Sequence, residues 1–111
     1  MKYLAKIKFP NEPANELVKD PQFGMKMKEL LEDVNAEAAY FSTIDGCRGC
    51  YIVVNVTEPS QMVQVAEPFF LWLNATVEYS PVMTPVDLNN ASKYFETAIH
   101  KWGNLKHEVS Y

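Results

Sequence analysis

The sequence EAAYFSTIDGCRGCYIVVNV, residues 37–56, decides how this chain folds. It predicts a strand from Ala36 to Ile44, a tight turn from Asp45 to Cys50, and a second strand from Tyr51 to Val56. The second strand is nearly all apolar, which is typical of a central strand covered on both faces. We therefore expect the other elements to pair with this hairpin or to pack against it.

The flanking sequence predicts two more strands and three helical regions. Residues 2–9 and 75–82 alternate polar and apolar side chains, the pattern of a strand with one covered face. Helical periodicity lies on both sides of the hairpin and returns in a C-terminal helix at about residues 84–103, before a tail at 104–111. The order β-α-β-β-α-β plus a helix predicts one α+β domain, residues 1–111, with a ferredoxin-like antiparallel sheet.

The helices of such a fold cover one face of the sheet, and here the second face is expected to need cover as well. Neighbouring strand residues point to opposite faces, so Tyr40 and Phe41, like Tyr51 and its neighbours, cannot all face the helices. The C-terminal helix or a second copy of the chain must supply this cover. Two sheets packed face to face would form a dimeric α+β barrel. We therefore expect a homodimer, with the C-terminal helix and tail helping to clasp it.

Charge and composition exclude several classes of protein. The net charge is −4 and the lysines are scattered, so the chain lacks the basic patch that nucleic-acid binding needs. No apolar run reaches the roughly 20 residues that span a bilayer, and the N-terminus does not resemble a signal peptide. We expect a cytoplasmic protein that needs no cofactor and has neither nucleic acid nor membrane among its partners.

The pattern EAAYFSTIDG-x-R-G, followed by YIVVNV and AEPFFLWLNATVEYSPVMTPVDL, resembles a small bacterial family of uncharacterised proteins. The layout is similar to dimeric α+β barrels such as muconolactone isomerase and antibiotic-biosynthesis monooxygenases. The resemblance covers most of residues 1–90 and implies the fold, but its motifs are structural and transfer no functional residue. The family's turn has the arginine without the cysteines, which speaks against a family-wide role for Cys47 and Cys50.

Five residues are predicted to bind a small organic ligand in a mainly apolar cavity between the sheet and the helices of the barrel. They are Lys6, Arg48, Tyr51, Asn55 and Glu78. Lys6 and Glu78 fall on the polar side of their strands, where a cross-strand salt bridge is the ordinary role. Acid–base chemistry by this pair would need burial to shift the two pKa values.

The other predicted ligand residues also have structural interpretations. Arg48 suits an exposed turn, an anion site at the mouth of the cavity, or a salt bridge to the partner chain. Asn55 interrupts an apolar strand, and a buried amide there would need hydrogen-bond partners. Three tyrosines could line the cavity or fill the core: Tyr40, Tyr51 and Tyr79.

Cys47 and Cys50 form a CxxC pattern, a weak signal for metal in this context. The turn is expected to point both sulfurs the same way, so that they supply half of a tetrahedral zinc site. The two further ligands would be His100 and His107, or the two cysteines of a second chain if the hairpin tips meet in a symmetric dimer. A redox CxxC normally begins a helix, which lowers a thiol pKa, and here it lies between strands. Two reduced turn residues and no bound metal are the simpler interpretation.

These observations favour a homodimer that binds a small molecule, or a cofactor-free enzyme resembling the barrel isomerases and oxygenases. The competing hypothesis is a structural or regulatory interaction protein without a pocket, and a metal or redox role at the CxxC pattern is the third. The chain contains no HExxH, P-loop or GxGxxG motif. A cavity holding a titratable group would favour the first hypothesis, and a filled core with charges only at its surface would favour the second.

Overall fold

A computed structural model of the protein describes residues 1–105. In chain order the elements are β1 Lys2–Phe9, α1 Asn11–Leu17, α2 Phe23–Asp33, β2 Ala38–Ile44, β3 Cys47–Asn55, α3 Gln61–Leu73, β4 Thr76–Pro81, α4 Pro85–Asn90 and α5 Ser92–Trp102. The strands form one antiparallel sheet in the order β2-β3-β1-β4. The predicted α+β class is confirmed, as are β1 and β3 as central strands, and the layout is compatible with a ferredoxin-like fold.

One face of the sheet packs against α2 and α3 and forms the core. Ala5 and Ile7 of β1 and Ile52 of β3 are fully buried there, because alternate residues of both strands point to the helices. The helices add one apolar stripe each, with these buried residues: Met27, Leu30, Val65, Ala66, Phe69 and Leu73. Fully burying one large apolar side chain contributes about 1.5–3 kcal/mol, so this layer stabilises the body of the molecule.

The turn between β2 and β3 is shorter than the sequence predicted. Only Asp45 and Gly46 connect the two strands, and their φ angles are 51° and 77°. Two consecutive left-handed residues form a type I′ turn, whose twist matches that of the strands it joins. The strand β3 therefore begins at Cys47, and the predicted turn extending to Cys50 is wrong.

The predicted C-terminal helix is two helices, α4 and α5, with Ala91 between them. Thr84 caps α4: its hydroxyl accepts from the Asp87 N–H, and the Asp87 carboxylate accepts from the Thr84 N–H. These hydrogen bonds lower the pKa of Asp87. Neither α4 nor α5 contains a buried residue. The radius of gyration is 19.2 Å, against roughly 13 Å for a compact domain of this length, so the two helices extend away from the body.

Part of the C-terminal prediction falls beyond the described residues. Residues 106–111 of the predicted tail lie there, together with His107 and the contribution of the tail to a clasp. Among residues 1–105, no helix combines the length and the apolar character needed to cross a membrane.

Candidate functional site

The open face of the sheet, meaning the face turned away from α2 and α3, carries a row of side chains across all four strands. Tyr40 lies opposite Tyr51, and Tyr51 lies opposite Lys6. On its other side, Lys6 lies opposite Glu78. Directly opposed residues of antiparallel strands share a face, with Cβ atoms about 5 Å apart. The structure thus brings three of the five predicted site residues together, and we call Tyr40, Tyr51, Lys6 and Glu78 the central row.

The three lysines of β1 on the open face have different surroundings. The Lys2 ammonium pairs with Glu37 near one end of the strand, and Lys8 Nζ lies 3.9 Å from an Asp45 carboxylate oxygen at the other. Lys6 lies between them and, among residues 1–105, has no carboxylate oxygen within 4.0 Å. In the described part of the chain, the Lys6 ammonium is therefore the one of these three that is available to a ligand.

The central row is not enclosed by the described part of its own chain, residues 1–105. Lys6 and Tyr51 are half-buried, whereas Tyr40 and Glu78 are exposed. These residues do not face the space between sheet and helices where the sequence predicted a cavity, because that side of the sheet holds the packed core. A ligand cavity around the central row would need a second surface to cover the open face.

Arg48 and Asn55 lie away from the central row. Arg48 is at the hairpin end of β3 on the helix side, and its Nη1 donates to Asn15 Oδ1 at 2.9 Å. Asn55 ends β3 on the open face, four residues or roughly 13 Å along the strand from Tyr51. It is exposed rather than buried, and its Oδ1 accepts a hydrogen bond from the Met1 amino group. The structure does not bring these two residues together with the other three.

Tyr79, predicted as a lining residue, lies on the core side of the sheet, because it alternates with Glu78 along β4. Its hydroxyl donates to the Met62 carbonyl oxygen at 2.7 Å, and its ring meets that of Tyr3 edge-on at 6.0 Å between centroids. Burial raises the pKa of Tyr79 above its ordinary value. This neutral, hydrogen-bonded hydroxyl holds α3 against β4.

Cys47 and Cys50 lie on opposite faces of β3, because their spacing in the strand is odd. Cys47 is half-buried on the open face, and Cys50 is fully buried in the core. Burial raises the pKa of the Cys50 thiol to about 12, so it stays protonated at neutral pH and is a poor nucleophile and metal ligand. The expectation that both sulfurs point the same way is wrong, and the two cannot share one ion. Within residues 1–105, no group of three His, Cys, Asp or Glu is placed to hold a metal.

The exposed apolar residues of α5 are the feature that the sequence prediction missed. The helix has the predicted apolar stripe, but Phe95, Ile99 and Trp102 are each more than half exposed. Periodicity shows which side of a helix is apolar; it does not show whether the same chain or another one covers that side. Only the structure reveals that the described residues before α5 leave this stripe uncovered.

No protein-family model and no curated protein sequence matches this chain. The resemblance to a bacterial family and to dimeric α+β barrels therefore rests on the sequence pattern and on the layout of the elements. Because one fold hosts many functions, any functional proposal has to be carried by the site itself.

Proposed function

We propose that this protein is a homodimer of ferredoxin-like chains that binds a small organic molecule between two open faces, as in a dimeric α+β barrel. The observation that carries the proposal is the position of the central row, in the middle of the sheet face that residues 1–105 leave uncovered. A two-fold axis would place two such rows opposite each other and create the enclosure that a single chain lacks.

The apolar part of the open face supports a second copy as the cover. Leu4 and Val53 are directly opposed, next to the central row, and both are half-buried. Tyr51 adds an aromatic ring on the same strand and face. Removing such surface from water contributes about 25 cal/mol per Å², and a two-fold interface gains that contribution from both chains.

The chemistry of the central row favours a small aromatic molecule with a carboxylate or a carbonyl oxygen. The Lys6 ammonium supplies a donor that no acidic group occupies among the described residues, and two tyrosines beside it supply rings and hydroxyls. Glu78, on the other side of Lys6, would orient the ammonium and repel a second negative charge.

The same residues could perform proton transfer without a cofactor. The Glu78 carboxylate is a base and the Lys6 ammonium is an acid on adjacent strands, the minimum that an isomerase or a cofactor-free oxygenase needs to move a proton on a bound organic acid. Catalysis would depend on the dimer, because only a second chain would exclude water from this open site. The cytoplasmic location remains a prediction from the sequence.

Light scattering and NMR titration test the proposal with benzoate as the anionic probe and benzyl alcohol as its neutral analogue. We expect a dimeric mass, and benzoate-induced shifts centred on the amides of Lys6, Tyr51 and Glu78. Lys6→Met should weaken benzoate binding at least tenfold, because a hydrogen bond to a charged group contributes about 1.5–3 kcal/mol. Binding of benzyl alcohol should change much less.

Lys19→Met is the matched control, since Lys19 is an exposed lysine away from the sheet that pairs with Glu16 at 3.1 Å. It removes the same charge and should leave both probes unaffected. A monomeric protein would contradict the dimer, and benzoate shifts that survive Lys6→Met unchanged would contradict the site.

The alternative is an interaction protein without an internal site, and the exposed stripe of α5 favours it. The two functions predict different results in the same titration. An interaction protein binds neither probe at the central row, although it can still be a dimer. A clear difference between the Lys6 and Lys19 variants would exclude this alternative.

A further inference from the structure

The C-terminal arm, defined as residues 82–105, carries an apolar surface that no other part of residues 1–105 covers. Phe95, Ile99 and Trp102 recur at helical spacing on one side of α5. Trp102 is 60% exposed and Ile99 is 64% exposed. An apolar stripe this continuous marks a contact surface rather than scattered exposure.

The body of the molecule offers an apolar groove on its outer, helical side. This α2–α3 groove has a volume of about 370 Å³ and is lined by Lys26, Glu29, Leu30, Asp33, Pro68, Leu71 and Trp72. Leu71 on its rim is 82% exposed, the most exposed of the large apolar residues in the described chain. The Trp72 ring packs against the Phe23 ring, with ring centroids 5.2 Å apart. The groove is therefore a shallow, open surface, on which Leu71 is exposed and Trp72 is half-buried beside charged residues.

The charges of the two surfaces have opposite sign. One lysine against two acids gives the groove lining a net charge of −1, and Lys93, Lys101 and Glu96 give α5 a net charge of +1. The open face of the sheet is less suited to this cationic helix, because at its centre lies the Lys6 ammonium, which has no carboxylate oxygen within 4.0 Å among residues 1–105. Complementary potentials of this kind set the partner and the orientation of a contact.

We propose that the arm of one chain docks in the α2–α3 groove of a second copy of the chain, and that the second copy returns the same contact. The mode is a helix in a groove, with Phe95, Ile99 and Trp102 as the anchors. In a reciprocal exchange each chain contributes its arm to one contact and its groove to the other, which is the arrangement that a two-fold axis produces.

The area of the arm is sufficient for a stable interface under this symmetry. The anchors Phe95, Ile99 and Trp102 are each more than half exposed. At about 150–250 Å² for a buried aromatic residue, and less for isoleucine, they offer roughly 300 Å² per arm. Counted on both sides of two contacts, the exchange buries roughly 1,200 Å², the lower end of the range of specific interfaces.

Site-directed crosslinking between separately made chains tests the contact. In a Cys47→Ser background, one chain carries Leu71→Cys in the groove and the other carries Ile99→Cys on the arm. Both positions are highly exposed, so neither substitution disturbs the core, and Cys50 is buried and stays unreactive. After mixing, a short bismaleimide should produce a covalent pair of unlike chains in at least tenfold excess over the control pair.

The control pair replaces Ile99→Cys by Thr97→Cys, which lies on the polar side of the same helix, where the Thr97 hydroxyl donates to the Lys93 carbonyl. Crosslinking of two Ile99→Cys chains to each other, with none to the groove, would overturn the proposal in favour of paired arms. A crosslink formed only within a chain that carries both cysteines would show that the arm folds back.

The outcome also separates this proposal from the proposed ligand site. A dimeric mass without an arm-to-groove crosslink overturns the arm contact and leaves the central row untouched. A crosslink together with no benzoate response at Lys6 supports the arm contact and contradicts the ligand site. As a second variant, Ile99→Glu should raise the dimer dissociation constant at least tenfold, and an unchanged constant would overturn the docking.

Discussion

The two faces of β3 are built from similar residues but have different surroundings. On the helix side, Cys50, Ile52 and Val54 are at most 1% exposed. On the open face, Tyr51 and Val53 alternate with them and are only half-buried. The helices α2 and α3 form one layer, and one layer covers one face of a sheet.

This difference teaches that the apolar character of β3 has two separate causes. One set of residues stabilises the single chain, and the other set is suited to a contact that the single chain does not make. Substitutions on the two faces should therefore differ in size and also in their dependence on protein concentration.

The largest effect is expected from Ile52→Ala compared with Val53→Ala. Ile52 is fully buried, so the truncation should lower the free energy of unfolding by about 2–5 kcal/mol through lost transfer energy and a cavity. Val53→Ala should cost much less at low protein concentration, because its side chain keeps partial access to water. Urea unfolding measures both.

The dependence on concentration sharpens this first prediction. If a second chain covers the open face, the cost of Val53→Ala rises with protein concentration, since only the dimer uses that side chain. The cost of Ile52→Ala should stay constant in the monomeric range. Equal costs for the two variants at every concentration would contradict the distinction between the faces.

Gly49→Ala should have the next largest effect on the free energy of unfolding, and it tests how tightly the chain packs around Gly49. A Cβ at Gly49 would lie 2.6 Å from Ile44 Cδ1 and 2.6 Å from the Ile7 carbonyl oxygen, because Ile44 folds across the glycine and is itself buried. We expect overpacking to cost about 1–3 kcal/mol, measured by urea unfolding.

The matched control is the same substitution at Gly24, in the first turn of α2. No heavy atom outside the helix lies within 4 Å of a Cβ there, so alanine should raise stability by about 0.5–1 kcal/mol through its higher helix propensity. A Gly49→Ala protein as stable as the wild type would show that Ile44 moves aside easily.

The sequence predicts which residues of β1 and of β3 share a face of the sheet. It does not predict what packs on each face. Alternation along β1 correctly placed Lys6 away from the helices, and strand pairing then placed Tyr51 and Glu78 beside it. The error at the cysteines came from extending the turn to Cys50. The Asp-Gly pair alone is a sufficient signal for a two-residue hairpin, and that shorter turn assigns Cys47 and Cys50 to opposite faces.

The position of the C-terminal arm was beyond sequence reasoning for a different reason. The Thr84 capping box is local, because Thr84 and Asp87 lie within four consecutive residues. Where α5 goes depends on long-range packing, and its apolar stripe suits its own sheet as well as a partner. Asn55 is a related case, since its exposure follows from the end of the strand and not from its apolar neighbours.

The smallest effect on stability at neutral pH is expected from the two cysteines. They differ in their accessibility to a thiol reagent rather than in their contribution to stability. Cys47 on the open face should react with Ellman's reagent in the native protein, and Cys50 only after unfolding. Spectroscopic titration should therefore count one thiol without denaturant and two with it. Two reactive thiols in the native state would show that the core around Cys50 opens readily.

At alkaline pH the same pair should become distinguishable in stability. The pKa of Cys50 is raised from 9.0 to about 12 in the fold, so the unfolded chain loses this proton first. The contribution of the protonated Cys50 thiol to the free energy of unfolding is fully present below pH 9 and is lost as the pH rises from 9 toward 12. Cys50→Ala removes the titrating group, and its free energy of unfolding should fall less steeply over that range than that of the wild type. Cys47→Ser should retain the wild-type pH dependence of the free energy of unfolding, because the buried Cys50 thiol is still present.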